Sequence, residues 1–388
     1  MKRNRICIFL LWILSLVGIS CYGGSVSYGF FIMVTLIPAM SFLYLLCVKL
    51  RFSIYQKLEG KTFVSNHAIP YFFTLQNEEW FAFASVKVFF YSDFSTVVDL
   101  TDGEEFELLP GTGISRDTSL ICRYRGTYRV GIKTVEITDF LRLFRLRYKN
   151  PEPLEVTILP YVATPSDLAG AQLSRILQRE IPMGSTVPDV SVREYAAGDP
   201  RNRIHWTASA RERRLLVRRR AGEEQPNISV FLDTRRISDD PMVHLPVENR
   251  MLELALALSR FFLLQRIPVN AYHIEGTLQT CSVTGSESFD LYYRRCSELA
   301  FDAAYLDRLL FAAAKKRPEV LGTRAAFFVL HEWSGEAEEF ARTLNAGGVP
   351  VVVYLVTDKA DIHADARSLP RTEILVVPPD ANLAEVLG

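Results

Sequence analysis

The sequence predicts a three-part membrane protein: two N-terminal transmembrane helices, then a β-sandwich-like domain, then an α/β domain with a mainly parallel sheet. Three observations carry this. Two long uncharged runs precede residue 51, apolar residues alternate with period two between 51 and 160, and short apolar strands alternate with helices after 226. A chain of 388 residues exceeds what one hydrophobic core usually organises. The expected boundaries are 1–50 for the helical hairpin, 51–160 for the β-rich domain, 161–225 for an arginine-rich connector and 226–388 for the α/β domain.

The first run, Ile6 to Cys21, is uncharged and apolar; seven small or polar residues (22–28) follow, then a second uncharged run from Gly29 to Val48. About 30 Å of hydrocarbon needs roughly 20 apolar residues, which the second run supplies and the first nearly does. So short a link makes the helices antiparallel neighbours. Lys2, Arg3 and Arg5 precede the first run, Lys49 and Arg51 follow the second, and the link is uncharged. The positive-inside rule then puts both ends, and the body that follows, in the cytoplasm, with the lipid bilayer as first partner and the cell membrane as location. A cleaved signal peptide, or a lipoprotein-like site at Cys21, would share the basic start and apolar core. The second full-length span with basic residues after it argues against both.

Composition narrows the rest. Formal net charge is zero, so no global field draws nucleic acid or acidic substrates, and nucleic acid is not an expected partner. The six cysteines include no CxxC pair, which excludes a disulfide framework or zinc site and reads as reduced buried thiols.

In the β-rich part, Phe81–Tyr91 is aromatic and β-branched, and Tyr128, Val130 and Ile132 alternate with Arg129 and Gly131 as one half-buried strand. Arg125-Gly126 reads as the turn before it. Gly111-Thr112-Gly113 lacks a third glycine and is a turn. Short strands at this spacing suggest a small sandwich serving as a stalk or packing module.

The connector is the most unusual stretch: nine arginines against three acids between Arg193 and Arg220. Asp199-Pro200 signals a helix start, Asp capping free N–H groups and Pro fitting the first turn. That helix is expected to reach Arg211, covered on two faces by Ile204 with Ala208 and by Trp206 with Ala210. Two readings stand. Arg193, Arg203 and Arg211 could pair with Glu194, Asp199 and Glu212; or the guanidinium groups could form an open site for phosphate, carboxylate or an acidic segment, which their planar fork binds bidentately. The second would make the chain a membrane-associated enzyme or anionic-ligand-binding protein. Arg218–Arg220 reads as an exposed face.

After residue 226, strands are expected at 227–233, 268–274, 325–330, 349–356 and 374–377, with helices at 249–265, 297–316 and 336–345. Fully apolar strands between helices imply a parallel sheet covered on both faces, whose ligands bind beyond the C-terminal strand ends. Those ends offer Asp233, His331 and Glu332. Asp358, Asp361, His363 and Asp365 form a late, solvated acidic loop.

The ordered run Arg193-Glu194-Tyr195, Gly198-Asp199, Arg203, Ile204, Trp206 and Ser209-Ala210-Arg211 resembles the signature of the family called domain of unknown function 58. The likeness extends to the two membrane helices, to Arg125, Gly126 and Tyr128, to Asp139-Phe140 with Leu143-Phe144, and to the α/β end. It implies a von Willebrand factor type A-like C-terminal domain, and a role beside MoxR-type AAA ATPases and transglutaminase-like membrane proteins in assembling or maturing complexes. Type A domains often hold Mg²⁺ through Asp-x-Ser-x-Ser; here the segment reads Asp233-Thr234-Arg235-Arg236-Ile237. Both serines are gone and Arg235 brings positive charge to the metal's place, with Glu332 where a further acid would be. No metal or cofactor is expected. No nucleophile elbow, phosphate loop or His-Glu-x-x-His occurs, so the expectation is a non-enzymatic scaffold or adaptor.

Overall fold

A computed structural model describes residues 1–163, 192–195, 204, 206–218, 227–358, 369 and 371–380. The chain divides into two compact units, Met1–Leu159 and Pro160–Gly388.

The first unit opens with α1 (Lys2–Tyr22) and α2 (Gly24–Arg51), both long and apolar enough to cross a membrane. The break between them is Gly23 alone (φ 59°, ψ −168°), so residues expected in a seven-residue link are helical instead. Glycine adopts positive φ without steric cost and lets the chain reverse there. The Trp12 and Phe31 rings lie 6.2 Å apart, and Trp12 Nε1 donates to Thr35 Oγ1 at 3.2 Å, which fixes the antiparallel register.

Eleven strands follow: β1 (Ser53–Leu58), β2 (Thr62–Val64), β3 (Ala68–Gln76), β4 (Phe83–Phe90), β5 (Ser95–Val97), β6 (Glu104–Leu108), β7 (Gly113–Cys122), β8 (Gly126–Val130), β9 (Ile132–Thr138), β10 (Arg145–Lys149) and β11 (Leu154–Leu159). They form sheets of order β1-β3-β7-β5, β10-β9-β4-β6 and β2-β11-β8. Side chains alternate across a strand, so β3 sends Ile69, Tyr71, Phe73 and Leu75 inward; there Phe73 meets Phe90 and Phe106 of the facing sheet edge-on. The strand expected to run from Tyr128 through Ile132 breaks at Gly131, whose φ of +81° lets the chain leave one sheet after β8 and enter another as β9.

The C-terminal turns of α2 belong to this core. Leu45 and Val48 are 2% and 0% exposed and pack in the sandwich cluster, and Tyr44 Oη donates to Ala82 O at 2.8 Å and accepts from Ala84 N at 3.1 Å. The span expected at Gly29–Val48 therefore includes turns that protein, not lipid, covers: hydropathy alone does not distinguish the two kinds of burial.

In the second unit, β12 (Val192–Glu194) pairs antiparallel with β13 (Leu216–Arg218), with α3 (Trp206–Glu212) between them in sequence. The rest is a six-stranded sheet of β14 (Ile228–Leu232), β15 (Val269–Glu275), β16 (Thr277–Val283), β17 (Ala325–Leu330), β18 (Val351–Val356) and β19 (Thr372–Val377). Its order is β16-β15-β14-β17-β18-β19, parallel except between β15 and β16. This is the doubly wound order of two half-sheets diverging from a first strand. Two apolar clusters cover its faces: α4 (Pro241–Leu264) and α5 (Ser286–Glu298) lie on one, α6 (Asp307–Ala314) and α8 (Gly335–Ala346) on the other, with α7 (Pro318–Leu321) preceding β17. The domain is von Willebrand factor type A-like in architecture.

Two elements depart from the sequence reading here. The helix expected from Asn249 starts at Pro241, capped by Asp240, whose side chain accepts from Met242 N. The helix expected over 297–316 is instead the end of α5 and all of α6, separated by residues 299–306, and the edge strand β16 was not expected.

Candidate functional site

In a doubly wound sheet the crevice for ligands opens where neighbouring strands send their connections to opposite sides, here between β14 and β17. Beyond their C-terminal ends lie Asp233, Thr234 and Arg235 on one side and His331 and Glu332 on the other. Arg235, His331 and Glu332 line a cleft of ≈ 1040 Å³ with Ile237, Met242, Val243 and Asp358, and Asp233 and Thr234 are buried beneath.

The polar groups are engaged with each other. Arg235 Nη2 lies 2.7 Å from Glu332 Oε2 and 2.6 Å from His331 Nε2, and Arg235 Nε donates to the same nitrogen at 3.2 Å. A guanidinium only donates, so Nε2 is the acceptor and the ring's proton sits on Nδ1. That Nδ1 is 2.7 Å from Asp233 Oδ2. Asp233 is 2% exposed, and its Oδ1 accepts from Arg235 N at 2.9 Å. Thr234 Oγ1 donates to Ile274 O at 2.8 Å, and Asp302 N donates to Thr234 O at 3.1 Å. Arg236 also lines the cleft, and its Nε meets the buried Glu248 at 3.0 Å.

A hard cation at this place would need several free oxygen ligands. The Arg235 guanidinium already stands against Glu332, and the hydroxyl nearest Asp233 in sequence is committed to a backbone carbonyl. The residues present do not fit a Mg²⁺ site, and among the described residues no group of three His, Cys, Asp or Glu side chains could hold a metal. Around this locked centre the rim is apolar: Ile237, Met242 and Val243 are 40%, 58% and 49% exposed.

The arginine-rich signature is a separate place. Gly198, Asp199 and Arg203, the expected helix start at 199–200, and the side chains of Arg193 and Glu194 lie outside the described residues, as do Arg219 and Arg220 and most of the late acidic loop. The two ends of the motif do meet: Tyr195 N donates to Leu215 O at 2.9 Å, and Ser209 Oγ accepts from Leu216 N at 2.9 Å. Ser209 is thus a fastener between α3 and β13. Ile204 is buried, but Trp206 is 66% exposed and Ala210 is exposed too, so the second covered face expected of this helix is absent. Arg211 is exposed.

Sequence reasoning passed over Ile237, Met242 and Val243. The signal was present: Asp240-Pro241 is the same helix-start pair used at Asp199-Pro200. Pro246 hid it, because proline inside a helix normally argues against one.

No family model matches the chain, and no curated protein matches it. Solved structures similar to parts of it include the CARDB domain of a Pyrococcus furiosus protein in complex with di-metal ions (13% identity, 28% of this chain and 93% of that one, TM-score 0.19). An aerotolerance-related membrane protein from Bacteroides fragilis is 15% identical over 34% of this chain and 67% of that one, TM-score 0.24. The conserved hypothetical protein BatB from Bacteroides thetaiotaomicron is 15% identical over 34% and 65%, TM-score 0.23. At these TM-scores the likenesses assign no function.

Proposed function

We propose that this chain is a membrane-anchored, non-enzymatic adaptor whose α/β domain docks partner proteins at the cleft beyond β14 and β17. The observation that carries the reading is the make-up of that cleft. Arg235 is engaged with Glu332 and His331, and exposed Ile237, Met242 and Val243 rim the cleft. Exposed apolar side chains around a polar centre suit a protein partner better than a small substrate. The arginine signature, with its resemblance to the domain of unknown function 58 family, points to a MoxR-type AAA ATPase as the partner, with a transglutaminase-like membrane protein in the same assembly. The basic residues flanking the hairpin support a cytoplasmic position for the domain.

Capture of the detergent-solubilised protein from its native membrane, with and without ATP and Mg²⁺, tests this. The wild type is expected to retain an ATPase in a nucleotide-sensitive way, and Arg235→Glu and Met242→Asp to lose most of it, Met242→Asp while keeping the wild-type melting profile. Unchanged capture by both variants would remove the cleft from the docking role.

A further inference from the structure

Both apolar helices hold the turn between β9 and β10. Asn4 Nδ2 donates to Leu141 O at 2.8 Å and Arg5 Nε to Leu143 O at 2.5 Å. From α2, Ser41 Oγ donates to Asp139 Oδ2, and the Phe42 and Tyr44 rings meet Phe144 and Phe140 edge-on at 5.9 and 5.4 Å. The turn is also closed on itself: Phe144 N donates to Asp139 Oδ1 at 2.7 Å and Arg142 N to Asp139 O at 2.9 Å. A surface turn normally shows polar side chains to water. This one buries its acid, Asp139 being 1% exposed, and presents Phe140 at 59%.

The hairpin register sets the level of the turn. Trp12 lies against Phe31 and Thr35, so Arg5, about two turns earlier, stands level with about Phe42. Arg5 is the last charge before the apolar run, so hydrocarbon begins just beyond it. Phe140 and Leu141 reach past that level, lining an apolar cleft of ≈ 570 Å³ along α2 with Leu36 and Met40. Leu143 and Phe144 line a second cleft, of ≈ 360 Å³, with Trp12 and Pro38.

We propose that the Asp139–Phe144 turn is itself a membrane-inserted element: Phe140 enters the bilayer beside the hairpin, and the two clefts flanking α2 take phospholipid acyl chains. The surface is continuous with the apolar face of the helices, and Arg142, exposed at the same turn, supplies the positive charge that lipid phosphates attract. The buried Asp139 keeps its negative charge from facing them. The inference rests on the hairpin spanning a membrane.

Benzoylphenylalanine placed singly at Phe140, at Leu36 in mid-α2 and at Tyr55 on β1 tests it in the full-length protein. The protein is reconstituted in phosphatidylcholine–phosphatidylglycerol vesicles, illuminated, and the peptides weighed for lipid adducts. The three positions are 59%, 52% and 55% exposed, so bulk at each is tolerated. Adduct yield at Phe140 is expected to match Leu36 and to exceed Tyr55 by about tenfold or more, the occupancy ratio that burial of a phenyl ring sustains. A Phe140 yield at the Tyr55 level with Leu36 labelled overturns the inserted turn alone. If Leu36 is unlabelled as well, the spanning hairpin falls and the inference with it. A cross-link between two copies in place of lipid would also overturn it.

Discussion

Asp139 shows how one side chain ties a membrane segment to a folded domain. Its carboxylate takes hydrogen bonds from a helix hydroxyl and from the backbone of its own turn, at 1% exposure. Removing it strands two donors in a place water does not reach, which costs about 3 kcal/mol. Asp139→Ala should therefore lower the melting temperature in detergent clearly, and Ser41→Ala by less, since one hydrogen bond is then lost. His273 makes a different demand. Burial, aided by Arg295 and opposed by Glu275, pushes its imidazole down from the ordinary 6.5 to about 4. The folded chain refuses a proton that the unfolded chain accepts below about 6.5, so this stability is present above that pH and lost as pH falls toward 4. The loss is on the order of 3 kcal/mol. Denaturant midpoints at pH 7 and pH 4.5 should diverge in the wild type and converge in His273→Phe. Neither residue was legible in sequence as special. Asp139 was one letter of a resemblance, and the burial of His273 depends on partners far along the chain. By contrast, Asp233, Arg235 and Glu332 could be placed at strand ends because strand ends are readable from apolar runs; that Arg235 also grips His331 could not be read.

At the scale of elements, Gly131 is the hinge on which the sandwich depends. A Cβ there would come 2.5 Å from Gln56 Oε1 and 3.1 Å from Tyr71 Oη, at a positive φ. Gln56 Oε1 itself accepts from Tyr71 Oη at 2.7 Å and Ile132 N at 2.8 Å. Gly131→Ala should cost about 2–3 kcal/mol through strain and the displaced amide, read as a lower melting temperature of the first unit. Sequence alternation ran straight through this glycine because Tyr128, Val130 and Ile132 keep one parity while the chain changes sheets. The buried parallel strands were legible for the opposite reason: each is a short unbroken apolar run between helices. The edge strand β16, with polar Thr277, Gln279, Thr280 and Ser282, has no such signature; only its pairing to β15 reveals it.

At the scale of the whole molecule, the hairpin was legible from composition, while the depth at which it leaves the lipid was not. Where the sandwich covers α2, hydrocarbon should end near Ser41. Cys47 would then stand in water at the protein surface, and Cys7 would stay in lipid, out of reach of a water-soluble reagent. In intact proteoliposomes whose sandwich faces outward, a water-soluble maleimide should label Cys47 and spare Cys7, scored peptide by peptide. Protection of both would restore the boundary at Val48. The continuity of α2 with the sandwich core has a mechanical side. The sandwich does not hang from a leash; it is the far arm of a lever whose near arm lies in the bilayer. Hydrophobic helices tilt to fit membranes of different thickness. Each degree of that tilt must then swing the whole sandwich, so bilayer thickness would set the angle at which it stands over the membrane.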